Sequence, residues 1–139
     1  MSVPVAQLVA SLPFNQRIGL GVDEEGRVLL EDDATLHNHV GTVHAGALFT
    51  LGEAASGVAI GPIVEALGAV PIAKKASIDY LRKARGRVRA EGRVAEAVDA
   101  IRARLVAEGR TTFDVDVELR DDAGVEVAHV VVTWHIRAA

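Results

Sequence analysis

The chain contains no cysteine in 139 residues. Disulfides, thiolate metal sites and thiol nucleophiles are therefore excluded, so any chemistry must come from oxygen and nitrogen groups, and cysteine usage says nothing about redox compartment. Also missing is an uninterrupted apolar run of the roughly 18 residues a membrane span needs. The most apolar stretch, around Leu48, is cut by Glu53 and again by Gly61-Pro62. The N-terminal SVPVAQLVASLPF lacks the basic start of a signal peptide, and Pro4 and Pro13 bracket only a short segment, which fits a short amphipathic helix better. Internal repeats and low-complexity linkers are absent. These absences leave a cytoplasmic protein with no membrane span. Half of its residues are hydrophobic, enough for one domain over residues 1–139 with a sizeable core.

An excess of positive charge is lacking too: the net charge is −4, which argues against general nucleic-acid binding. The charge is unevenly spread, however. Eight of the fifteen cationic residues fall between Lys74 and Arg93, against only two acids, Asp79 and Glu91.

The elements follow from periodicity. After the N-terminal helix, residues 17–23 and 27–32 read as short strands joined by the turn EEG, a hairpin. From about His44 to Leu67 small and apolar residues lie all around a 3.6-residue repeat, which marks a helix surrounded by protein; Gly61-Pro62 is expected to kink it or end its first part. Strands are expected at 72–82, 87–94, 112–120 and 125–137, with Phe113, Val115, Val117 and Leu119 on one face and the acids Asp114, Asp116 and Glu118 on the other. Between them Val98, Ile101 and Leu105 stand at helical spacing, so an extra helix at 96–108 ends at Gly109. The sum is an α+β fold, an antiparallel sheet of five or six strands with one central apolar helix. Curling the sheet around that helix, with a second subunit closing the remainder, is the simplest way to bury it.

One residue in that helix is out of place. Glu53 is the only charge between Asn38 and Ser56, and no cation stands three or four positions away to pair with it. A carboxylate among Ala, Leu, Phe and Val loses hydration unless something compensates, which makes Glu53 a candidate for chemistry over a structural cap.

The series Asn38, Gly41, His44, Gly46, Leu51 and Glu53, with the later IDYLRKARG, resembles the signature of hotdog-fold acyl-CoA thioesterases of the phenylacetate-pathway (PaaI-like) type, and the inserted helix resembles that of a related uncharacterised hotdog branch. The resemblance implies a curled sheet wrapped around the central helix, hydrolysis of an acyl-CoA or related thioester to free acid and thiol, no cofactor, and a homodimer or a dimer of dimers. It places the catalytic carboxylate on Glu53, the polar residue before the helix on Asn38, and a His-Gly pair on His44 and Ala45, where Ala stands for the commoner Gly. Helix-start amides suit such a role, because the first N–H groups lack intrahelical partners: those of Ala45 and Gly46 can stabilise the oxyanion of an attacked thioester. Glu53 would activate water or attack directly, and a thiolate leaves without a dedicated acid. His44 and Glu53 are nine residues apart, about 13 Å of rise on nearly opposite helix faces, too far to grip one carbonyl. Two antiparallel central helices across a dimer axis would instead join Glu53 of one subunit to the helix start of the other.

Each role has an alternative. Asn38 either holds its loop or contacts substrate; Ser56 orients Glu53 or a water, or bonds back to a helix carbonyl. Arg82, Lys83 and Arg85 bind the phosphates of CoA or form a solvated face. His37, His39 and His44 raise a metal reading, but no carboxylate cluster completes a shell, so no metal is expected. His44 is read as an orienting donor, and His37 and His39 as loop residues. EAASG is not a serine nucleophile elbow. At the level of function, the alternative to a thioesterase is a noncatalytic acyl-CoA or acyl-ligand binding protein on the same fold.

Overall fold

The computed structural model describes residues 4–139, so Ser2 and Val3 of the N-terminal stretch lie outside the described part. Two short helices come first, α1 (Val5–Ala10) and α2 (Pro13–Arg17). The second was not expected: Pro13 fills the first helical position, where its missing N–H is no loss. The residues from Arg17 to Leu20, read as strand, therefore belong to the end of α2 and the turn after it, where Gly19 takes φ 75. What is left of the hairpin is β1 (Gly21–Val22) and β2 (Val28–Leu30). Its turn is as expected, with Gly26 at φ 81 and Asp23 Oδ1 accepting from the N–H groups of Glu25 and Arg27.

After a 3-10 turn at Ala34–Leu36 comes α3 (Ala45–Leu67). Gly61-Pro62 does not end it; the helix is assigned without interruption to Leu67 and stops at Gly68 in the left-handed conformation. Pro62 forfeits one bond to the carbonyl four residues back, while Ile60 and Ile63 on either side of it are buried and hold the turn in place. Gly61 has its own reason: a Cβ there would stand 2.5 Å from Val5 Cγ1, so its hydrogen lets α1 lie close. By length and composition α3 is apolar enough to cross a membrane, but here it is the helix the sheet wraps.

The remaining elements are β3 (Ala69–Tyr80), β4 (Val88–Val94), α4 (Val98–Glu108), β5 (Arg110–Arg120) and β6 (Glu126–Ala138), within two or three residues of the ranges read from the sequence. Gly109, at φ 76, ends α4 as expected, and Ile101 and Leu105 join the core. The six strands form one antiparallel sheet in the order β1-β2-β4-β5-β6-β3. β3 is the long free edge, which is why it tolerates Pro71, and it bulges at Lys74 between the pairs Ala73↔Trp134 and Lys75↔Thr133.

One face of the sheet, including Phe113, Val115, Val117, Leu119, Val130, Val132, Trp134 and Ile136, closes on α3. Gly52 lets the helix approach, since a Cβ there would be 2.5 Å from Val130 Cγ2. A curled antiparallel sheet around a central apolar helix is the hotdog architecture that the motif implied. Not all of α3 meets the sheet: Phe49, Glu53, Gly57 and Gly61, spaced by four, form a half-buried stripe partly covered by α1.

Candidate active site

The loop before α3 is built by Asn38. Its Oδ1 accepts from the N–H groups of Val40 and Thr42, and its own N–H donates to the Thr42 carbonyl at 2.7 Å. Gly41, at φ 78, completes the tight turn, and His37 pairs across it with Val43 in a β-bridge. Asn38 therefore holds its loop; its Nδ2 uses one hydrogen on Thr42 Oγ1.

That loop delivers His44 as the N-cap of α3, and the His44 Nδ1 accepts from the Gly46 N–H at 2.8 Å. Two consequences follow for the expected oxyanion donors. The Gly46 amide is already used, so of the two amides expected to act together only that of Ala45 has no hydrogen-bond partner among the described residues. With Nδ1 accepting, the neutral His44 ring carries its proton on Nε2, a donor on an exposed side chain. His44 is thus the cap of α3 in addition to any contact its Nε2–H makes.

Tyr80, which the sequence reading passed over, closes this region from β3. Its hydroxyl donates to the Ala45 carbonyl at 3.0 Å, tying the first turn of α3 to the end of the edge strand. A tyrosine ending an extended run gave no signal of that contact, because it spans 35 residues of sequence. Asn38, Ala45, Tyr80, Arg82 and Lys83 share the lining of one pocket of ≈ 340 Å³. Neither Arg82, Lys83 nor Arg85 is in an ion pair among the described residues, whereas Arg87 pairs with Glu31 and Arg89 with Asp122. Arg85 does not line this pocket; its N–H is held by Asp121 Oδ2.

Glu53 lies elsewhere. It lines a second groove, of ≈ 360 Å³, between α1, α3 and the Pro71 and Trp134 end of the sheet. No hydrogen bond or ion pair to its carboxylate exists among the described residues, and burial pushes its carboxyl above the ordinary range. In one chain the helix start and the carboxylate thus belong to different pockets, as their spacing required. Ser56 takes the second of its two readings, the bond back to a helix carbonyl. It is 0 % exposed, its hydroxyl donates to the Glu53 carbonyl at 2.6 Å and accepts from Trp134 Nε1 at 3.0 Å, so it ties α3 to β6 inside the core.

His37 bonds Asp32 at 2.8 Å, and His39 is exposed. Among the described residues no group of three or more His, Asp or Glu side chains is disposed to hold a metal ion.

Comparison with known proteins gives a family match and likenesses to solved structures. Residues 12–136 match a protein family described as a domain of unknown function, DUF4442. Among solved structures, a Pseudomonas aeruginosa protein of unknown function described as a probable thioesterase superposes with a TM-score of 0.85 at 27% identity, covering 100% of this chain and 99% of that one. A hypothetical thioesterase from Streptococcus pneumoniae, solved with coenzyme A, gives 0.61 at 24% identity over 82% and 80% of the two chains. A thioesterase family protein from Silicibacter pomeroyi gives 0.74 at 17% identity over 98% and 97%. The last two likenesses carry the fold alone. No curated protein matches the chain.

Proposed function

The chain belongs to the DUF4442 family, and from that premise we propose that it hydrolyses an acyl-CoA or related acyl thioester at a site shared between two copies. The observation that carries the reading is Glu53: a half-buried carboxylate with no partner of its own, opening on an apolar groove. A group held that way is poised to take a proton from water, because burial raises its basicity toward the operating pH. The probable-thioesterase description of the Pseudomonas relative agrees with it, as does the coenzyme A bound by the Streptococcus protein.

The two pockets divide the work. In an antiparallel pair of α3 helices, Glu53 of one subunit faces the partner subunit's Ala45, whose free N–H takes the developing oxyanion, with His44 Nε2–H as a second donor. The acyl end then lies in the Glu53 groove. The thiol end runs past the partner's Asn38 and Tyr80 toward the partner's Arg82 and Lys83, whose unpaired charges suit the phosphates of CoA. Water, activated by Glu53, adds to the carbonyl, and collapse of the tetrahedral intermediate expels a thiolate that needs no dedicated acid, since a thiol is far more acidic than an alcohol.

The use of the Gly46 amide by His44 favours one alternative, a protein that binds acyl-CoA without cleaving it, because a single backbone donor is a sparse oxyanion site. Thiol release separates the two. Wild-type protein is expected to liberate CoA from at least one member of a panel of straight and aromatic acyl-CoAs, and Glu53→Gln to lower kcat by about 10²–10⁴. Tight binding with no thiol released by the wild type would establish the binding protein instead; full activity in Glu53→Gln would move the catalytic base elsewhere.

A further inference from the structure

The groove beside Glu53 contains space that the chain's own packing does not explain. Three glycines of α3 face neighbouring elements, and two of them are required by close approach: a Cβ at Gly52 or Gly61 would stand 2.5 Å from a valine methyl. Gly57 is different. A Cβ there would meet Val9 Cγ2 at 3.9 Å and Trp134 Cζ2 at 4.0 Å, ordinary contacts, so the fold would accept a methyl group that the sequence withholds. Gly57 lies one turn beyond Glu53 on the same face, and its missing side chain leaves a notch directly along the groove from the carboxylate.

The groove continues from there. Its wall beyond Gly57 is Ile60, Gly61 and Val64 on α3, with Leu8 of α1 and Leu12 at the start of α2 also lining it and Trp134 alongside. From Glu53 to Val64 the helix rises about 16 Å, so the space, ≈ 360 Å³ in volume, is an elongated channel open to solvent along the side of Leu8 and Leu12. Polar groups stand only at its margins. Asn15 spends its amide on the Val9 carbonyl at 2.9 Å, and Glu65 is exposed to water at the far end. Leu8 and Leu12 remain 56% and 49% exposed, apolar surface on α1 and at the start of α2 that an apolar occupant would cover.

We propose that this channel holds a straight acyl chain of medium to long length, its thioester carbonyl at Glu53 and its tail running alongside α1 past Gly57 toward Val64. The inference rests on the thioesterase reading for the position of the carbonyl, and it adds the substrate class: unbranched aliphatic acyl groups in preference to aromatic ones. A ring fills only the first part of a course of that length, and an apolar channel gains with every methylene that fills it. Gly57 is thereby a specificity-determining position, because any side chain there blocks the tail while leaving the carbonyl end open.

The single tryptophan of the chain lines the channel, so occupancy can be read without turnover. Dodecanoic acid is expected to shift Trp134 emission saturably in the wild-type protein, while butanoic and phenylacetic acids at the same concentrations leave it unchanged. In hydrolysis, Gly57→Val is expected to lower the ratio of kcat/KM for dodecanoyl-CoA over butanoyl-CoA by about tenfold or more, with Gly57→Ala intermediate. An emission unmoved by saturating dodecanoic acid, a stronger response to phenylacetic acid, or an equal loss for both acyl-CoAs in Gly57→Val would overturn the channel. The fluorescence titration needs only wild-type protein and decides the matter even if Gly57→Val does not fold. A saturable Trp134 response with no thiol released from any acyl-CoA would sink the hydrolase and keep the channel.

Discussion

At the scale of single residues, Glu53 carries opposite consequences for activity and for stability. Burial raises its pKa in the folded chain above the ordinary value of about 4.3. Below that ordinary value the group is neutral in both folded and unfolded states and has no electrostatic effect on folding. As pH rises through the folded-state pKa, the native protein must hold a desolvated charge that the unfolded chain leaves in water, so stability falls. Glu53→Gln, which stays neutral, is therefore expected to melt at a higher temperature than wild type at neutral pH, the gap closing toward pH of about 4. Thermal melts across that range check it, and a Glu53→Gln that melts below wild type at neutral pH would mean that Glu53 finds a charged partner in the folded protein. His44 and Ser56 show the other side of residue chemistry: both looked available in sequence, and both spend at least one polar atom on α3 itself.

At the scale of elements, the position of α3 depends on what its glycines omit. Gly52→Ala should stabilise an isolated helix by about 1 kcal/mol through propensity alone. Here the new methyl would meet Val130 Cγ2 at 2.5 Å, on a β-branched side chain that is stiff at χ1 and fully buried in β6. Overpacking of that kind costs about 1–3 kcal/mol, so the steric effect wins and a net loss of stability is expected in urea unfolding. A stabilised Gly52→Ala would show that the helix and sheet can separate without penalty. Element types were largely legible: the alternation of Phe113 to Leu119 marked β5, and Gly109 marked the end of α4. The misreadings were local. The hairpin is shorter than the pattern implies because Ile18 and Leu20 mimic strand alternation while Pro13 starts a helix, and of the two effects expected of Gly61-Pro62, a kink or an end, the end does not occur, since buried neighbours carry the helix through.

At the scale of the whole molecule, the separation of the Ala45 pocket from the Glu53 groove makes a prediction about assembly. Ala45→Pro removes the free N–H with little disturbance, since position 45 is the first of α3 and His44, at ψ 140, already has the extended conformation a residue before proline prefers. Alone, it is expected to lower kcat by about 10²–10³. Co-expressed with Glu53→Gln and purified through a separate tag on each variant, it should give heterodimers with one intact site of two, about half of wild-type activity. A site formed within one chain would leave both protomers defective and the heterodimer inactive.

The sequence by itself determined the kinds of element, the apolar central helix, and Glu53 as a charge without local compensation, because periodicity and composition act over a few residues at a time. It also required the helix start and the carboxylate to be apart, since that follows from helical rise alone. Only the tertiary structure decided which polar atoms are still free. Ser56 lost its hydroxyl to Trp134 of β6 and the Glu53 carbonyl, Gly46 lost its amide to the His44 ring, and Tyr80 came from the far end of β3 to clamp Ala45. The groove beside Gly57 belongs to the same class, because it exists only where α1 folds back over α3. Contacts between residues distant in sequence use up hydrogen-bonding groups and leave voids, and neither outcome is written in local pattern.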